Sequence, residues 1–302
     1  MNDTSHIGLL PAVILGLLQG LTEFLPVSST AHMAIAPQLL FGMKDPGAAF
    51  SAIVQLGPIV AIIAYFRTDL VRYVQGIYRN PNPTKIASDD IDAKLAWYVI
   101  ASSIPIMVFG VLLKKHIEHE FRSLNVIAVS LIALAAVLYW AEKVGSRRTA
   151  LENITLRESL IIGFAQVLAL IPGTSRSGVT ITAGLFQGLD RESAARFSFL
   201  LSIPSITAAG LFELFSLIHK HHLGHDLTSP IIGAVVAGVF AYVVIKWFLG
   251  YMKDHNTTGF VIYRIALGVV ILLLLHFHKI NAQNNVQSAS VPQAAVIRLA
   301  SR

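Results

Sequence analysis

The sequence contains no cysteine and little charge. Without cysteine the chain has no disulfides, no thiolate metal ligands and no cysteine nucleophile. Only 13% of its 302 residues are charged, about half the share of roughly 25% in an average soluble protein. By contrast, 54% are hydrophobic, and the mean hydropathy is +0.65. This balance excludes a disordered chain, a basic nucleic-acid-binding domain and an ordinary soluble enzyme, and it indicates a membrane protein.

Six apolar stretches reach or approach the roughly 20 residues that a membrane span needs. They are residues 50–66, 95–113, 124–140, 197–218, 230–249 and 260–277. Each ends in a charged or turn-rich loop, and the loop 67–94 contains the breaker Asn80-Pro81-Asn82-Pro83. The prediction is a single polytopic membrane domain over residues 1–279, followed by a disordered tail over residues 280–302.

Two further apolar stretches are each interrupted by a polar turn. In the first stretch, apolar residues 7–25 lead into a polar turn at 26–32, and apolar residues resume at 33–41. In the second, apolar residues 160–171 lead into a polar turn at 172–178, and apolar residues resume at 179–186. Irregular backbone at membrane depth is tolerated where protein shields it or where it lines a wet cavity. The pattern therefore predicts two re-entrant helix–turn–helix hairpins.

The two hairpins belong to an internal repeat. Gly16 and Gln19 recur as Gly163 and Gln166 at an offset of 147 residues, as does Phe50-Ser51 at Phe197-Ser198. Leu25-Pro26-x-Ser28-Ser29 matches Ile171-Pro172-x-Thr174-Ser175 at an offset of 146. These matches predict one repeat at about 7–141 and a second at about 158–277. Because each unit contains three spans, the second enters the membrane from the opposite side, and the functional site lies where the hairpins meet.

The predicted fold class is therefore an all-α integral membrane protein, an inverted-topology repeat of six transmembrane helices plus two re-entrant hairpins. Most Lys and Arg fall in the loops 67–94, 142–157, 190–196 and 253–255. The positive-inside rule places this face in the cytoplasm and both termini outside. The net charge of +6 is thus mainly an orientation signal and does not predict a nucleic-acid partner.

Glu23 is the residue of the first hairpin that is hardest to explain as structure. It follows Gln19 by one helical turn, so both polar groups share a helix face. An acid at membrane depth is a functional hypothesis by default, although a shallow hairpin would place Glu23 at the interface. Hydroxyls and an imidazole beside a carboxylate suit acid–base or nucleophilic chemistry, and the turn supplies Ser28, Ser29, Thr30 and His32. The hydroxyls also fit helix caps.

Arg176 marks the second hairpin. A guanidinium binds phosphate oxygens in a two-pronged manner, glycines allow close backbone approach, and a following helix offers a positive N-terminal end. The residues of this proposed phosphate or diphosphate site are Gly173, Thr174, Ser175, Arg176 and Ser177. The alternative is a structural pair between Arg176 and Glu23. Gln55 either bonds a helix neighbour or lines the cavity, and Arg264 is an interfacial anchor or a headgroup contact.

The two turns together resemble a known family. Gly20-Leu21-Thr22-Glu23-Phe24-Leu25-Pro26-Val27-Ser28-Ser29-Thr30-Ala31-His32 and Pro172-Gly173-Thr174-Ser175-Arg176-Ser177-Gly178 are similar to motifs of the bacitracin-resistance family of undecaprenyl-diphosphate phosphatases. The resemblance runs from about residue 7 to 275 and includes Gln55-Leu56-Gly57 and Ile262-Tyr263-Arg264. It implies an inner-membrane hydrolase that recycles the lipid carrier of cell-wall synthesis and confers bacitracin resistance.

The resemblance also implies a set of site residues. Glu23, Ser29, His32 and Arg176 are the expected catalytic residues, with Gln19 and Gln55 in support. The family's phosphate-binding motif corresponds to Ser175, Arg176 and Ser177. From their own chemistry and position in the two turns, Ser28, Thr30, Gly173 and Thr174 are also expected to bind the substrate phosphates. A divalent cation, Mg²⁺ or Ca²⁺, is implied, with Glu23 as a ligand. The family often has Glu where Gln19 stands, which weakens a two-carboxylate site. The expected partners are a polyprenyl diphosphate and membrane lipid; a homodimer is left open.

In the expected mechanism, Arg176 and the backbone amides of the hairpins bind a diphosphate. Ser29 attacks the terminal phosphorus with His32 as its base, and Glu23 orients His32 or holds the metal. Direct attack by water is an open alternative. The competing function is a transporter of undecaprenyl phosphate, because inverted repeats with broken helices are typical of secondary carriers. The placement of the first hairpin favours a site that opens to the periplasm.

Overall fold

The computed structural model describes residues 7–43, 48–87, 89–113, 123–219 and 227–280, and these residues form eleven α-helices. The helices are α1 (Leu9–Thr22), α2 (Ser29–Phe41), α3 (Ala48–Tyr65), α4 (Arg67–Arg79), α5 (Ile91–Leu112), α6 (Leu124–Val144), α7 (Leu156–Gln166), α8 (Arg176–Phe186), α9 (Arg191–His219), α10 (Thr228–Asp254) and α11 (Thr258–His276). Short 3-10 turns occupy Leu151–Asn153 and Val167–Leu170. Of the tail predicted over residues 280–302, Ile280 is described and buried, and residues 281–302 lie outside the described residues.

The described helices confirm an all-α integral membrane protein. Five of them are long and apolar enough to cross a bilayer, namely α5, α6, α9, α10 and α11. The pair α3 and α4 adds a sixth crossing if it counts as one span, with a bend of 72° between its halves. The five long helices coincide with five of the stretches predicted from hydropathy, and α3 coincides with the sixth.

The helices of the two hairpins are too short to cross. Helices α1 and α2 have 14 and 13 residues, and α7 and α8 have 11 each. At about 1.5 Å per residue, each is roughly 16–21 Å long, against a hydrocarbon core of about 30 Å. In both hairpins the chain reverses through a short turn, and the two helices pack against each other. This is the helix–turn–helix arrangement that the sequence predicts.

Equivalent glycines hold the two hairpins against the rest of the bundle. Gly16 of α1 lies against the backbone of Gly233 in α10, and Gly163 of α7 lies against the backbone of Ser102 in α5. A Cβ at either glycine would overlap the facing backbone. Each hairpin therefore packs on the second span of the other repeat, so the two units interlock in the same way from both sides.

Helix α4 corrects one expectation. We expected residues 67–94 to be a loop, but residues 67–79 form an amphipathic helix that packs on α5. Its buried side carries Tyr73 and Gly76, whereas Val71, Val74 and Tyr78 are exposed. The helix ends at the predicted breaker, with Asn80 as its C-cap.

Ion pairs and hydrogen bonds connect the positively charged loops at one end of the molecule. Asp69 pairs with Arg196 at 2.7 Å and Lys253 with Glu192 at 3.4 Å. Buried Glu142 accepts hydrogen bonds from Arg191 and from the hydroxyl of Thr257 at 2.9 Å. The four loops that the sequence assigns to one membrane face therefore do lie together.

Candidate active site

The site forms where the N-termini of two short helices meet. Ser28 caps α2 and accepts a hydrogen bond from the amide of Ala31 at 3.3 Å; Ser175 caps α8 and accepts one from the amide of Gly178 at 3.2 Å. Both caps have a positive φ, 71° and 66° respectively. Such a conformation costs a serine about 1–3 kcal/mol and is concentrated at functional sites.

These caps also correct the sequence alignment of the repeats. The sequence match at the turns pairs Ser28 with Thr174, at an offset of 146. In the structure Ser28 is equivalent to Ser175, since both are left-handed N-caps. The offset is then 147 throughout the hairpins, and Ser29 is equivalent to Arg176. The first residue of each helix thus carries an expected catalytic side chain.

Glu23 lies at the centre of the hydrogen-bond network. It directly follows α1, its residue is 9% exposed, and its Oε2 accepts hydrogen bonds from Gln19 Nε2 at 2.9 Å and from Ser29 Oγ at 2.7 Å. Gln19 and Glu23 therefore share a helix face as their spacing predicts. A carboxylate that accepts a bond from a serine hydroxyl is placed to take its proton.

Arg176 faces Glu23 from the second hairpin. Its Nη2 is 3.6 Å from Glu23 Oε1 and 3.5 Å from the Glu23 carbonyl oxygen, and its Nη1 donates to the Ser198 carbonyl at 3.3 Å. The guanidinium carbon also lies 5.8 Å from the centre of the Phe24 ring. Within the described residues its Nε has no partner. The pair with Glu23 is long, and a free N–H remains for an anion.

The two turns touch through their backbones and hydroxyls. The amide of Gly173 donates to Thr30 Oγ1 at 3.4 Å, and Ser177 Oγ donates to the Leu25 carbonyl at 2.8 Å. Within each turn, Ser28 Oγ is 2.9 Å from Thr30 Oγ1 and Ser175 Oγ is 3.2 Å from Ser177 Oγ. The structure therefore brings the expected phosphate-binding residues of both hairpins to one place.

Thr174 belongs to this turn in a different way. Its hydroxyl donates to the carbonyls of Leu168 and Ile171, at 3.0 and 2.8 Å. The side-chain proton is thus used inside the turn, so Thr174 shapes the turn and does not offer its hydroxyl to a ligand.

His32 does not pair with Ser29, contrary to the expected base–nucleophile arrangement. Its Nδ1 is 2.8 Å from the Ser28 carbonyl oxygen, and its Nε2 is 2.6 Å from the hydroxyl of Tyr263. The hydroxyl of Ser29 is bonded to Glu23 instead. Sequence reasoning missed Tyr263 as a site residue because it lies 231 residues from His32 in the chain.

Arg264 is neither the interfacial anchor nor the headgroup contact that we expected. It is 0% exposed, and its Nη2 donates to the carbonyl of Thr174 at 2.8 Å. Its Nε and Nη1 have no partner among the described residues. An arginine inside an apolar span was the available signal, since a buried cation at membrane depth requires a polar partner. Arg264 thus holds the turn of the second hairpin in place.

Gln55 is not drawn into the site. It is half-buried on α3, and the described part of the chain gives it no hydrogen bond to either hairpin. Its expected supporting role therefore rests on the sequence resemblance alone.

A divalent cation finds few protein ligands here. The described residues contain no group of three or more His, Asp or Glu side chains that could enclose a metal ion. Glu23 and the amide oxygen of Gln19, whose Nε2 bonds Glu23, offer two oxygen atoms. Mg²⁺ commonly takes one or two carboxylates plus substrate phosphates and waters. The residues thus fit an ion that is bound mainly through a phosphate ligand.

Comparison with known proteins shows the family of this chain. Residues 12–270 match the family model described as bacitracin resistance protein BacA. The chain is similar to the undecaprenyl-diphosphatase of Myxococcus xanthus, at 46% identity over 94% of this chain and 95% of the relative. The undecaprenyl-diphosphatase of Chloroherpeton thalassium is also 46% identical, over 91% of this chain and 99% of the relative. That of Renibacterium salmoninarum is 46% identical over 90% of this chain and 97% of the relative. The chain therefore belongs to the BacA bacitracin-resistance protein family.

Proposed function

We propose that this protein hydrolyses undecaprenyl diphosphate to undecaprenyl phosphate and inorganic phosphate, which recycles the lipid carrier for cell-wall synthesis. One observation carries the proposal: Ser29, Glu23 and Arg176 meet where two helix N-termini face each other. Relatives that match nearly the whole chain are named undecaprenyl-diphosphatase. Overproduction of such an activity would confer bacitracin resistance.

The site suits a diphosphate headgroup. Arg176 provides a guanidinium whose Nε–H has no partner among the described residues. The first turns of α2 and α8 provide backbone amides at the positive ends of their helices. Ser175 lies beside them, and Ser177, whose hydroxyl donates to the Leu25 carbonyl, ties the two turns together. The prenyl chain would lie along the exposed apolar faces of the bundle, while the headgroup reaches the polar junction.

Chemistry begins at Ser29 in this proposal. Its Oγ attacks the terminal phosphorus while its proton passes to Glu23 Oε2, which lies 2.7 Å away. The bond from phosphorus to the bridging oxygen breaks, and undecaprenyl phosphate leaves. Arg176 and the helix amides stabilise the charge that develops on the phosphoryl oxygens.

Water completes the reaction. The water oxygen attacks the phosphorus of the phosphoserine, and its proton is accepted on the His32 side of the site. The bond from phosphorus to Ser29 Oγ breaks, and Oγ takes back the proton held by Glu23. Inorganic phosphate is released, and loss of the proton taken up on the His32 side to solvent returns the protein to its starting state. In the alternative route, Glu23 or His32 activates a water molecule that attacks the substrate directly. No phosphoserine forms in that route, so trapping a phosphoserine distinguishes the two.

A divalent ion, Mg²⁺ or Ca²⁺, would be held by Glu23 and Gln19 together with the substrate. Bound there, it would neutralise phosphate charge. We expect EDTA to abolish phosphate release and either ion to restore it. Gln19→Glu adds a second carboxylate and should lower the ion concentration needed for half-maximal activity.

The chain is a multi-pass membrane protein, and we propose that it resides in the bacterial inner membrane with its site open to the periplasm. The clustering of the positive loops at one end supports a single cytoplasmic face. A homodimer stays a prediction.

The direct test uses the purified full chain with undecaprenyl diphosphate and Mg²⁺ in detergent micelles. We expect release of one phosphate per substrate. A parallel assay follows labelled undecaprenyl phosphate across liposome membranes. Movement of the lipid without phosphate release would favour the transporter and overturn the hydrolase.

A further inference from the structure

His32 has both ring nitrogens engaged. Nδ1 lies 2.8 Å from the carbonyl oxygen of Ser28. A carbonyl oxygen only accepts hydrogen bonds, so Nδ1 carries the hydrogen and donates. In the neutral ring, Nε2 is then the nitrogen with the lone pair. Nε2 is therefore the atom through which His32 can accept a proton.

The hydroxyl of Tyr263 occupies that position. It is 2.6 Å from Nε2, and the two rings are stacked with centroids 5.7 Å apart and planes 5° from parallel. The phenol O–H donates to Nε2 when the imidazole is neutral. When Nε2 is protonated, the same phenol oxygen can accept its N–H. One hydroxyl thus fits both protonation states of His32.

The position of Tyr263 in the fold separates this contact from ordinary packing. Tyr263 is 46% exposed, so it is not a core residue held in place by its surroundings. An aromatic anchor at the membrane interface would turn its hydroxyl to headgroups or water. Here the hydroxyl instead turns to His32. The next residue, Arg264, binds the turn of the other hairpin, so consecutive residues of α11 contact both halves of the site.

We propose that Tyr263 is the proton relay of His32. In the hydrolytic step, the attacking water gives its proton to the phenol oxygen of Tyr263 while the phenol proton moves to His32 Nε2. The water oxygen forms its bond to phosphorus, the bond from phosphorus to Ser29 Oγ breaks, and Glu23 returns a proton to Oγ. Tyr263 ends with one proton, as it began, and His32 is left as imidazolium. This role rests on the proposed phosphatase function.

The test is a double-mutant cycle on phosphate release, with Tyr263→Phe and His32→Gln. Tyr263→Phe retains the stacked ring and removes only the hydroxyl. We expect kcat to fall about 10- to 100-fold, within the range of acid–base contributions, while KM changes less than about twofold. Because the two residues act as one unit, the double variant should lose no more activity than His32→Gln alone. Tyr242→Phe, which removes a hydroxyl from a half-exposed ring on α10, should retain wild-type kcat.

Two results would overturn the relay: a Tyr263→Phe variant with at least half of wild-type kcat, or losses that multiply in the double variant. A measurement on the wild-type protein tests the relay without relying on the activity of any variant. Nitrogen-15 NMR of protein labelled on its histidines reports which ring nitrogen carries the hydrogen. The His32 signal is the one missing from the spectrum of His32→Gln, and it should show the hydrogen on Nδ1. A neutral His32 protonated on Nε2 would refute the relay. Absence of phosphate release by the wild type would refute the proposed function instead.

Discussion

At the scale of single residues, the site combines groups that are each ambiguous alone. Ser28 and Ser175 are helix caps, as their residue type suggests, yet their positive φ values mark a backbone under strain. Ser29 and Arg176 begin the helices that those caps introduce. Glu23 joins them, because one carboxylate oxygen contacts Ser29 and the other faces Arg176. The chemistry therefore depends on where the side chains converge.

Ser29→Ala tests the nucleophile. Without Oγ no phosphoserine forms, and we expect phosphate release to fall on the order of 10³-fold or more, as for other covalent catalysts. Acid quenching with substrate labelled in its terminal phosphate should trap label on the peptide that contains Ser29 in the wild type. The exposed Ser146→Ala serves as control. Full activity of Ser29→Ala would favour direct attack by water.

Arg176→Lys tests the anion site. Lysine keeps the positive charge but cannot make the forked contacts of a guanidinium. The loss of a charged hydrogen bond predicts a decrease in kcat/KM of about 10- to 100-fold. Arg157→Lys, an exposed change in the first turn of α7, should leave kcat/KM unaltered. Equal values for both variants would mean that Arg176 serves only as a structural partner of Glu23.

At the scale of helices, the hairpins keep their position through close backbone contacts. Gly16 and Gly163 occupy equivalent places and meet α10 and α5. The hydropathy pattern predicted the hairpins and the spans well, because a broken apolar stretch is a strong signal. It missed α4, since a helix of alternating charged and apolar residues between two spans reads as a loop. It also missed that Ser29–His32 form the first turn of α2.

Gly16→Ala tests the packing of the first hairpin. The added methyl group would overlap the backbone of Gly233 and force α1 away from α10, at a cost of about 1–3 kcal/mol. We expect a lower thermal midpoint in detergent and reduced activity, because Gln19 lies on the same helix and Glu23 directly follows it. Gly250→Ala has open space around the new methyl group, so it should be neutral or stabilise by up to about 1 kcal/mol. Similar midpoints for the two variants would contradict the packing argument.

At the scale of the whole molecule, the two repeats form one site from two half-sites. Each half contributes a capped helix N-terminus, but the side chains differ: the first half carries the acid and serine, and the second carries the arginine. The duplication was readable from the sequence. The contacts of Tyr263 and Arg264 were not, because they join positions at least 90 residues apart and no local pattern reports such a distance.

The orientation of the molecule can be tested with single cysteines, since the chain has none of its own. Lys85→Cys lies in a positive loop and Lys279→Cys follows the last span, and both positions are exposed. A membrane-impermeant thiol reagent added to intact spheroplasts should label only Lys279→Cys. After lysis both should react. Labelling of Lys85→Cys in intact cells would reverse the orientation and the periplasmic opening.

The central claim is that Glu23, held between Ser29 and Arg176, drives hydrolysis of the lipid diphosphate. The most direct measurement is phosphate release from undecaprenyl diphosphate by the purified wild type, Glu23→Gln and the exposed control Glu152→Gln. Glu23→Gln keeps the size of the side chain but removes the base, and we expect a loss of about 10²- to 10⁴-fold with an unchanged thermal midpoint. The wild type and Glu152→Gln should be equally active. A Glu23→Gln variant that releases phosphate at the wild-type rate would contradict the account.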